Sequence, residues 1–275
     1  MTSVASVPMS NTISQLEFRN ALQRIGLANE RVVVITSDIS AFGELECGAS
    51  NEEFQLEAYL QCIREVMSGE PTLVVPTFTY VRSGSDSPYI HESSPSETGV
   101  LTEHLRTRPD SIRSVHPVFS FAAIGPGKGR ICANVSPHSY GWNSPAHRLV
   151  KEDAFVLCLG RSPHRGSFFI HMAEIFAGVS YRYTKELSIP VWLDGEEITR
   201  SFYHFVKYAE ADIEWDTNRL VERLEAQGLL RYEPIGRGGM WGYRAKDMFD
   251  TTMRLLMRNM YALLGHKPEH APWNR

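Results

Sequence analysis

The segment Phe169-Ile-His-Met-Ala-Glu174 sets an imidazole and a carboxylate three residues apart, so on a helix His171 and Glu174 share one face. A carboxylate beside an imidazole fixes its tautomer and raises its basicity, which makes His171 a candidate general base and Glu174 its orienting acid. An ordinary ion pair on a helix face has the same spacing. A second segment, His138-Ser-Tyr-Gly-Trp-Asn-Ser-Pro145, ends in a turn whose N–H groups and Ser144 hydroxyl suit an anion. Pro145 fits the first position of the following helix, where its missing N–H costs nothing, and such a helix start is a natural phosphate site. A plain surface turn would read the same way. The third segment, Arg113-Ser-Val-His-Pro117, carries His116 and leads into Ser120-Phe-Ala-Ala-Ile-Gly-Pro126.

Other chemistries lack their residues. There is no GxSxG nucleophile elbow for a serine hydrolase. Ten histidines invite a metal, but no HxxxH, HExxH or Cys/His pairing of zinc spacing occurs, and His164 and His171 lie seven apart, so no metal is expected. Gly125-Pro-Gly-Lys-Gly129 has the glycines of a phosphate loop without its Gly-Lys-[Ser/Thr] ending, and it reads as a strand-end turn with no helix after it. Cys47, Cys62, Cys132 and Cys158 show no CxxC spacing and read as buried thiols of a reducing compartment.

The elements that must position these residues follow from periodicity. Helical spacing predicts helices over 13–25, 54–67, 168–176, 215–227 and 246–264, and a further one opening at Pro95-Ser96-Glu97 that carries Val100, Leu101, His104 and Leu105. Apolar runs predict buried strands at 31–35, 72–75, 119–124 and 154–159. Residues 81–96, dense in Ser, Gly, Pro and Asp, predict a long functional loop. An extended stretch over 181–192 turns at Asp194-Gly195 into 197–199. The fold class is therefore α/β, a mixed central sheet with flanking helices and a smaller C-terminal lobe. The expected division is a single domain, with a first part over roughly 12–180, a lobe over roughly 181–245 and a final helix over 246–264.

In this order and separation the segments resemble the aminoglycoside 3-N-acetyltransferase family. The resemblance begins at Val32-Val-Val-Ile-Thr-Ser-Asp-Ile-Ser40 and continues through Val75-Pro-Thr-Phe-Thr-Tyr80 and Pro95-Ser-Glu-Thr-Gly-Val-Leu-Thr-Glu103. It is densest from Arg113 to Glu174 and resumes over Gly236–Phe249. The resemblance implies acetyl-coenzyme A or another acyl-coenzyme A as co-substrate, direct acyl transfer without a covalent enzyme intermediate, and a small-molecule amine as acceptor. It places the catalytic histidine at His171 and its acid at Glu174. Ser37, Ser40, Ser144 and Pro145 fall in segments that line the family's coenzyme pocket, while Tyr80, His116, Tyr203 and His204 are candidates for the acceptor side. Two departures stand out. Antibiotic-modifying members carry an Asp-rich motif where this chain reads Ser201-Phe-Tyr-His-Phe-Val-Lys207, and they place a threonine where this chain has Phe168.

With 43% hydrophobic and 22% charged residues over 275 positions, the chain is long and apolar enough for a sizeable core. A formal charge of −4 gives no basic excess for nucleic acid. No window approaches a membrane span, and the Ser- and Thr-rich start has neither a basic nor an apolar signal region, so a cytoplasmic protein is expected. A homodimer is left open. Three readings remain: an N-acyltransferase acting on an amino sugar or similar small amine, an antibiotic 3-N-acetyltransferase, and a non-catalytic coenzyme-binding homologue.

Overall fold

The β-branched run Val32-Val-Val-Ile35 has no polar face to turn to water, so both of its faces must be covered. In the computed structural model, which describes residues 12–46, 51–81, 83–84, 87–163, 167–270 and 272, this run forms the centre of a seven-stranded sheet. In spatial order the strands are Leu230–Glu233, Met240–Arg244, Phe155–Leu159, Val32–Ser37, Thr72–Pro76, Phe121–Ile124 and Ile112–Arg113. Val32–Ser37 pairs parallel with both of its neighbours, and the outer pairings are antiparallel, which makes the sheet mixed as expected.

Alternate side chains of the central strands divide between two cores. Val33, Ile35, Leu73 and Leu157 meet Phe18, Leu60 and Leu101 from the helices Gln15–Arg24, Glu52–Val66 and Val100–Thr107. Val32, Val34, Val74 and Val156 meet Leu149, Phe169, Leu224 and Met248 from the helices Pro145–Lys151, Phe168–Ala177, Asn218–Ala226 and Ala245–Arg258. Each fully buried Val, Leu or Phe contributes about 1.5–3 kcal/mol relative to exposure, so the sheet fixes these helices firmly.

The smaller part is built on the antiparallel ribbon of Arg182–Leu187 and Phe202–Lys207. Beside it Val191–Leu193 pairs with Glu196–Glu197, and the left-handed Asp194 (φ 53°) and Gly195 (φ 80°) make the predicted hairpin turn. Val191–Leu193 also takes Tyr89–Ile90 as a parallel partner, which gives the long loop a short strand. Residues 230–244, grouped with the smaller lobe in the sequence reading, instead extend the main sheet, Met240 pairing with Leu159 and Tyr243 with Val156.

Four local expectations give way. A short helix, Lys128–Cys132, does follow the 125–129 turn, but Lys128 Nζ donates to the Asp110 carbonyl at 2.7 Å and Gly127 N–H donates to Thr72 Oγ1. The helix carrying Val100 starts there because Thr98 Oγ1 donates back to the Pro76 carbonyl. The last helix stops at Arg258, short of Leu264, because Leu264 bridges to Trp215 and Asp216 N–H donates to the Leu263 carbonyl. The same pairing delays the preceding helix from Trp215 to Asn218. Among the described residues, no helix is long and apolar enough to cross a membrane.

At the end of the strand Phe155–Leu159, Gly160 has φ 67°, and an added Cβ would lie 2.5 Å from the Asp38 carbonyl and 2.7 Å from the Phe42 amide. Both the left-handed backbone and the backbone clash oppose any side chain. Gly160→Ala is therefore expected to cost about 2 kcal/mol or more, lowering Tm by about 4–8 °C in a scanning-calorimetry comparison. An unchanged Tm would refute this account of the strand end.

Candidate active site

The helix Phe168–Ala177 is apolar almost all round, as a helix buried between sheet and outer helices must be. It ends at Gly178, whose left-handed conformation (φ 66°) lets its N–H reach back to the Glu174 and Ile175 carbonyls. On this helix the Glu174 side chain is 0% exposed and that of His171 is 25% exposed. His171 Nδ1 lies 2.8 Å from Glu174 Oε2, so the sequence expectation of a shared helix face holds at hydrogen-bond distance.

Other donors surround the same carboxylate. Tyr181 Oη donates to Oε1 at 2.8 Å, and Arg182 Nε sits 2.9 Å from Oε2, an ion pair although that N–H is not aimed at the oxygen. Burial first, and then the nearby carboxylate, push the Tyr181 hydroxyl far up, so it stays a donor. The Arg182 guanidinium lies over the Trp215 ring at 5.0 Å and the Phe205 ring at 5.8 Å. Trp215 in turn meets the His171 ring edge-on at 5.2 Å, and Tyr140 lies 5.4 Å away on another side. With Nδ1 committed to Glu174, Nε2 is the nitrogen left for other work.

His171 opens into a cavity of about 670 Å³ lined by Ser167, Ile170, Arg182, Trp215, Thr217, Asn218 and the strand segment 204–207. A second, narrower cavity of about 100 Å³ is lined by Thr36, Ser37, Phe78, Tyr80, Thr98, Cys158, Ser162, Ser167 and Phe168 among others. Ser167 belongs to both, and the two cavities meet at the start of the His171 helix. Ser167 makes no side-chain cap there, and its carbonyl accepts from the Ile170 N–H at 3.1 Å. The Ser162 hydroxyl, in the narrow cavity, is buried with no hydrogen-bond partner among the described residues.

The other sequence candidates divide. Ser37 and the exposed Tyr80 line the narrow cavity, and Tyr80 does not line the large one. Ser40 lines neither cavity; its hydroxyl donates to Asp38 Oδ1 at 2.6 Å. Ser144 is wholly buried and accepts from the His147 N–H as the cap of a seven-residue helix, and Pro145 occupies the first turn as expected. Neither lines either cavity. His204 lines the large cavity, stacked on Phe119 at 4.6 Å, with Nδ1 3.1 Å from Ser139 Oγ. Burial pulls its pKa down to about 3, so it is neutral at pH 7. Tyr203 and His116 stand outside the cavity. His116 Nδ1 accepts from the Val118 and Phe119 amides, its Nε2 donates to the Tyr203 carbonyl at 3.3 Å, and burial pulls its pKa down to about 4. Both ring nitrogens are occupied in shaping that turn.

Arg182 and Trp215 were not identified from sequence. A carboxylate in an apolar helix requires donors, but no spacing rule says that one of them comes from the strand beyond Gly178. Among the described residues, no group of three or more His, Cys, Asp or Glu side chains gathers where it could hold a metal; His164 and Cys47 lie outside the described residues. The thiols of Cys62, Cys132 and Cys158 are free and buried.

Comparisons with known proteins converge on one family. The family model of aminoglycoside 3-N-acetyltransferase matches residues 34–257. Aminoglycoside N(3)-acetyltransferase VII of Streptomyces paromomycinus is 27% identical over 264 residues, 86% of this chain and 87% of that protein. The solved apoenzyme of aminoglycoside acetyltransferase AAC(3)-IVa superposes with a TM-score of 0.75 at 24% identity, covering 96% of this chain and 95% of that one. The binary complex of AAC-IIIb with CoASH superposes with a TM-score of 0.74 at 19% identity, covering 94% of this chain and 100% of that one. The chain belongs to the aminoglycoside 3-N-acetyltransferase family, acyltransferases whose co-substrate is acetyl-coenzyme A.

Proposed function

We propose that this protein moves the acetyl group of acetyl-coenzyme A onto a single amine of a sugar-like acceptor, with His171 as the general base. The observation that carries the reading is the His171–Glu174 contact. It commits Nδ1 to a buried carboxylate and leaves Nε2 for the larger of two cavities that meet at Ser167.

An amine is mostly protonated at pH 7 and must lose a proton to attack. The ammonium gives one proton to solvent, the free amine attacks the thioester carbonyl, and His171 Nε2 takes a second proton from that nitrogen as the N–C bond forms and hands it to the thiolate as the C–S bond breaks. Such assistance is worth roughly 10²–10⁴-fold in rate. Negative charge developing on the thioester oxygen needs donors, and the first turn of the helix Phe168–Ala177, which the Ser167 side chain does not cap, begins at the junction. The narrow cavity suits an extended thioester arm: Ser37 and Ser162 line it with hydroxyls, and the Ser162 hydroxyl lacks a protein partner among the described residues. Acetyl-coenzyme A supplies an activated acyl carbon there.

The acceptor reading rests on charge. Among the described residues the large cavity is lined by Arg182 and Lys207, by a neutral His204, and by no Asp or Glu. A polycation would bring several ammonium groups with no carboxylate to meet them, whereas a molecule with one amine leaves little charge unmatched. A second reading, acetylation of polycationic aminoglycosides, is favoured by the names of relatives such as the Streptomyces paromomycinus enzyme.

Three outcomes are expected. His171→Ala should lower kcat at least about 100-fold while acetyl-coenzyme A still binds, and near-normal turnover would sink the assignment. Ser162→Phe, which fills the narrow cavity, should weaken acetyl-coenzyme A binding in calorimetry at least about tenfold; unchanged affinity would move the donor elsewhere. In parallel kcat/KM measurements, a mono-amino sugar should be preferred to kanamycin, and a clear preference for kanamycin would promote the second reading.

A further inference from the structure

The wall of the large cavity carries an unusual charge pairing. In the antiparallel ribbon, Lys207 stands directly opposite Arg182, and both line the cavity. Like charges directly opposite one another on neighbouring strands destabilise a sheet. Arg182 is compensated from behind by Glu174, whereas Lys207, at the exposed end of its strand, has no carboxylate within ion-pair distance among the described residues. The chain as a whole is acidic, at −4, so a cation without an ion-pair partner in a cavity wall is no general property of the surface. His204, in the same wall, adds no charge at pH 7 but presents an imidazole that hydrogen-bonds Ser139.

Unmatched positive charge facing a cavity of substrate size is matched most simply by the ligand. Resting on the reading of this cavity as the acceptor site, we propose that Lys207 and Arg182 form an oxyanion subsite, and that the acceptor is an amino sugar bearing a phosphate group. The anion binds between the two cross-strand cations, and the amine extends toward His171. Bound this way, the anion supplies the counter-charge that Lys207 lacks among the described residues. The same charges disfavour a polycation, so one pair of residues sets the acceptor class in both directions.

The test compares glucosamine with glucosamine 1-phosphate and glucosamine 6-phosphate by isothermal calorimetry on the whole protein, alongside turnover with acetyl-coenzyme A. At least one phosphorylated sugar is expected to bind about tenfold or more tighter than glucosamine at low salt. That advantage should shrink with added sodium chloride as the charges are screened. It should fall below twofold in Lys207→Glu and survive in Lys207→Arg, which retains the charge and reports on folding. Equal affinity for all three sugars overturns the subsite, as does an advantage that persists in Lys207→Glu. The two readings fail separately. Acetylation of all three sugars without discrimination by charge removes the subsite and leaves the acceptor cavity. Lys207-dependent binding of a sugar phosphate with no acetylation leaves the anion subsite and removes the acceptor reading.

Discussion

One buried carboxylate organises this molecule. Glu174 has no contact with water, and an unmatched charge in that position would cost several kcal/mol. Its partners come from three places: His171 one turn earlier, the Tyr181 hydroxyl, and the Arg182 guanidinium at the start of the following strand. The helix cannot leave the ribbon without stranding either Glu174 or Arg182, and that dependence holds the imidazole in place. Arg182 extends the constraint outward, because its guanidinium lies over the Trp215 ring, which stands edge-on to His171. The residues around the imidazole are thus fixed by the demands of one carboxylate, and they lie outside the reach of the helix's own spacing.

The main sheet supplies the other boundary. Strands Val32–Ser37 and Phe155–Leu159 deliver Ser37 and Cys158 to the narrow cavity, and the turn after Gly160 brings Ser162 beside them. The ribbon of Arg182–Leu187 and Phe202–Lys207 delivers the wall of the large cavity. Ser167, at the start of the His171 helix, is the point where a sheet-built slot meets a ribbon-built basin. In the proposed reaction that division separates a donor side rich in hydroxyls from an acceptor side that carries cations. Donor chemistry and acceptor preference then lie on different elements, so ribbon residues such as Lys207 can change without disturbing the slot.

Much of this was legible in the residues. The β-branched runs marked the central strands because a strand covered on both faces needs no polar alternation, and the i, i+3 spacing of His171 and Glu174 put them on one face. Asp194-Gly195 made the turn its chemistry required. Local signals were less reliable where a distant partner competed. Periodicity extends the last helix to Leu264, yet the bridge from Leu264 to Trp215 takes those residues out of it and shortens the helix before it. Ser144 has the right type for an anion loop, but it is wholly buried and its hydroxyl oxygen accepts from the His147 amide as a helix cap. His116 looked like a ligand-binding residue until two backbone amides were found on one nitrogen and a carbonyl on the other.

The sequence by itself determined the elements, the family and the identity of the histidine–glutamate pair, because each depends on side chains a few residues apart or on runs of one chemical type. Only the tertiary structure decided which groups surround that pair. Arg182, Trp215 and Lys207 reach the His171 cavity through strand register and helix docking, and contacts set by register are invisible to any rule written in residue spacing. The cross-strand Lys207–Arg182 pairing exists only in that register: a slip of one strand by one residue would turn its own side chain to the opposite face and part the two.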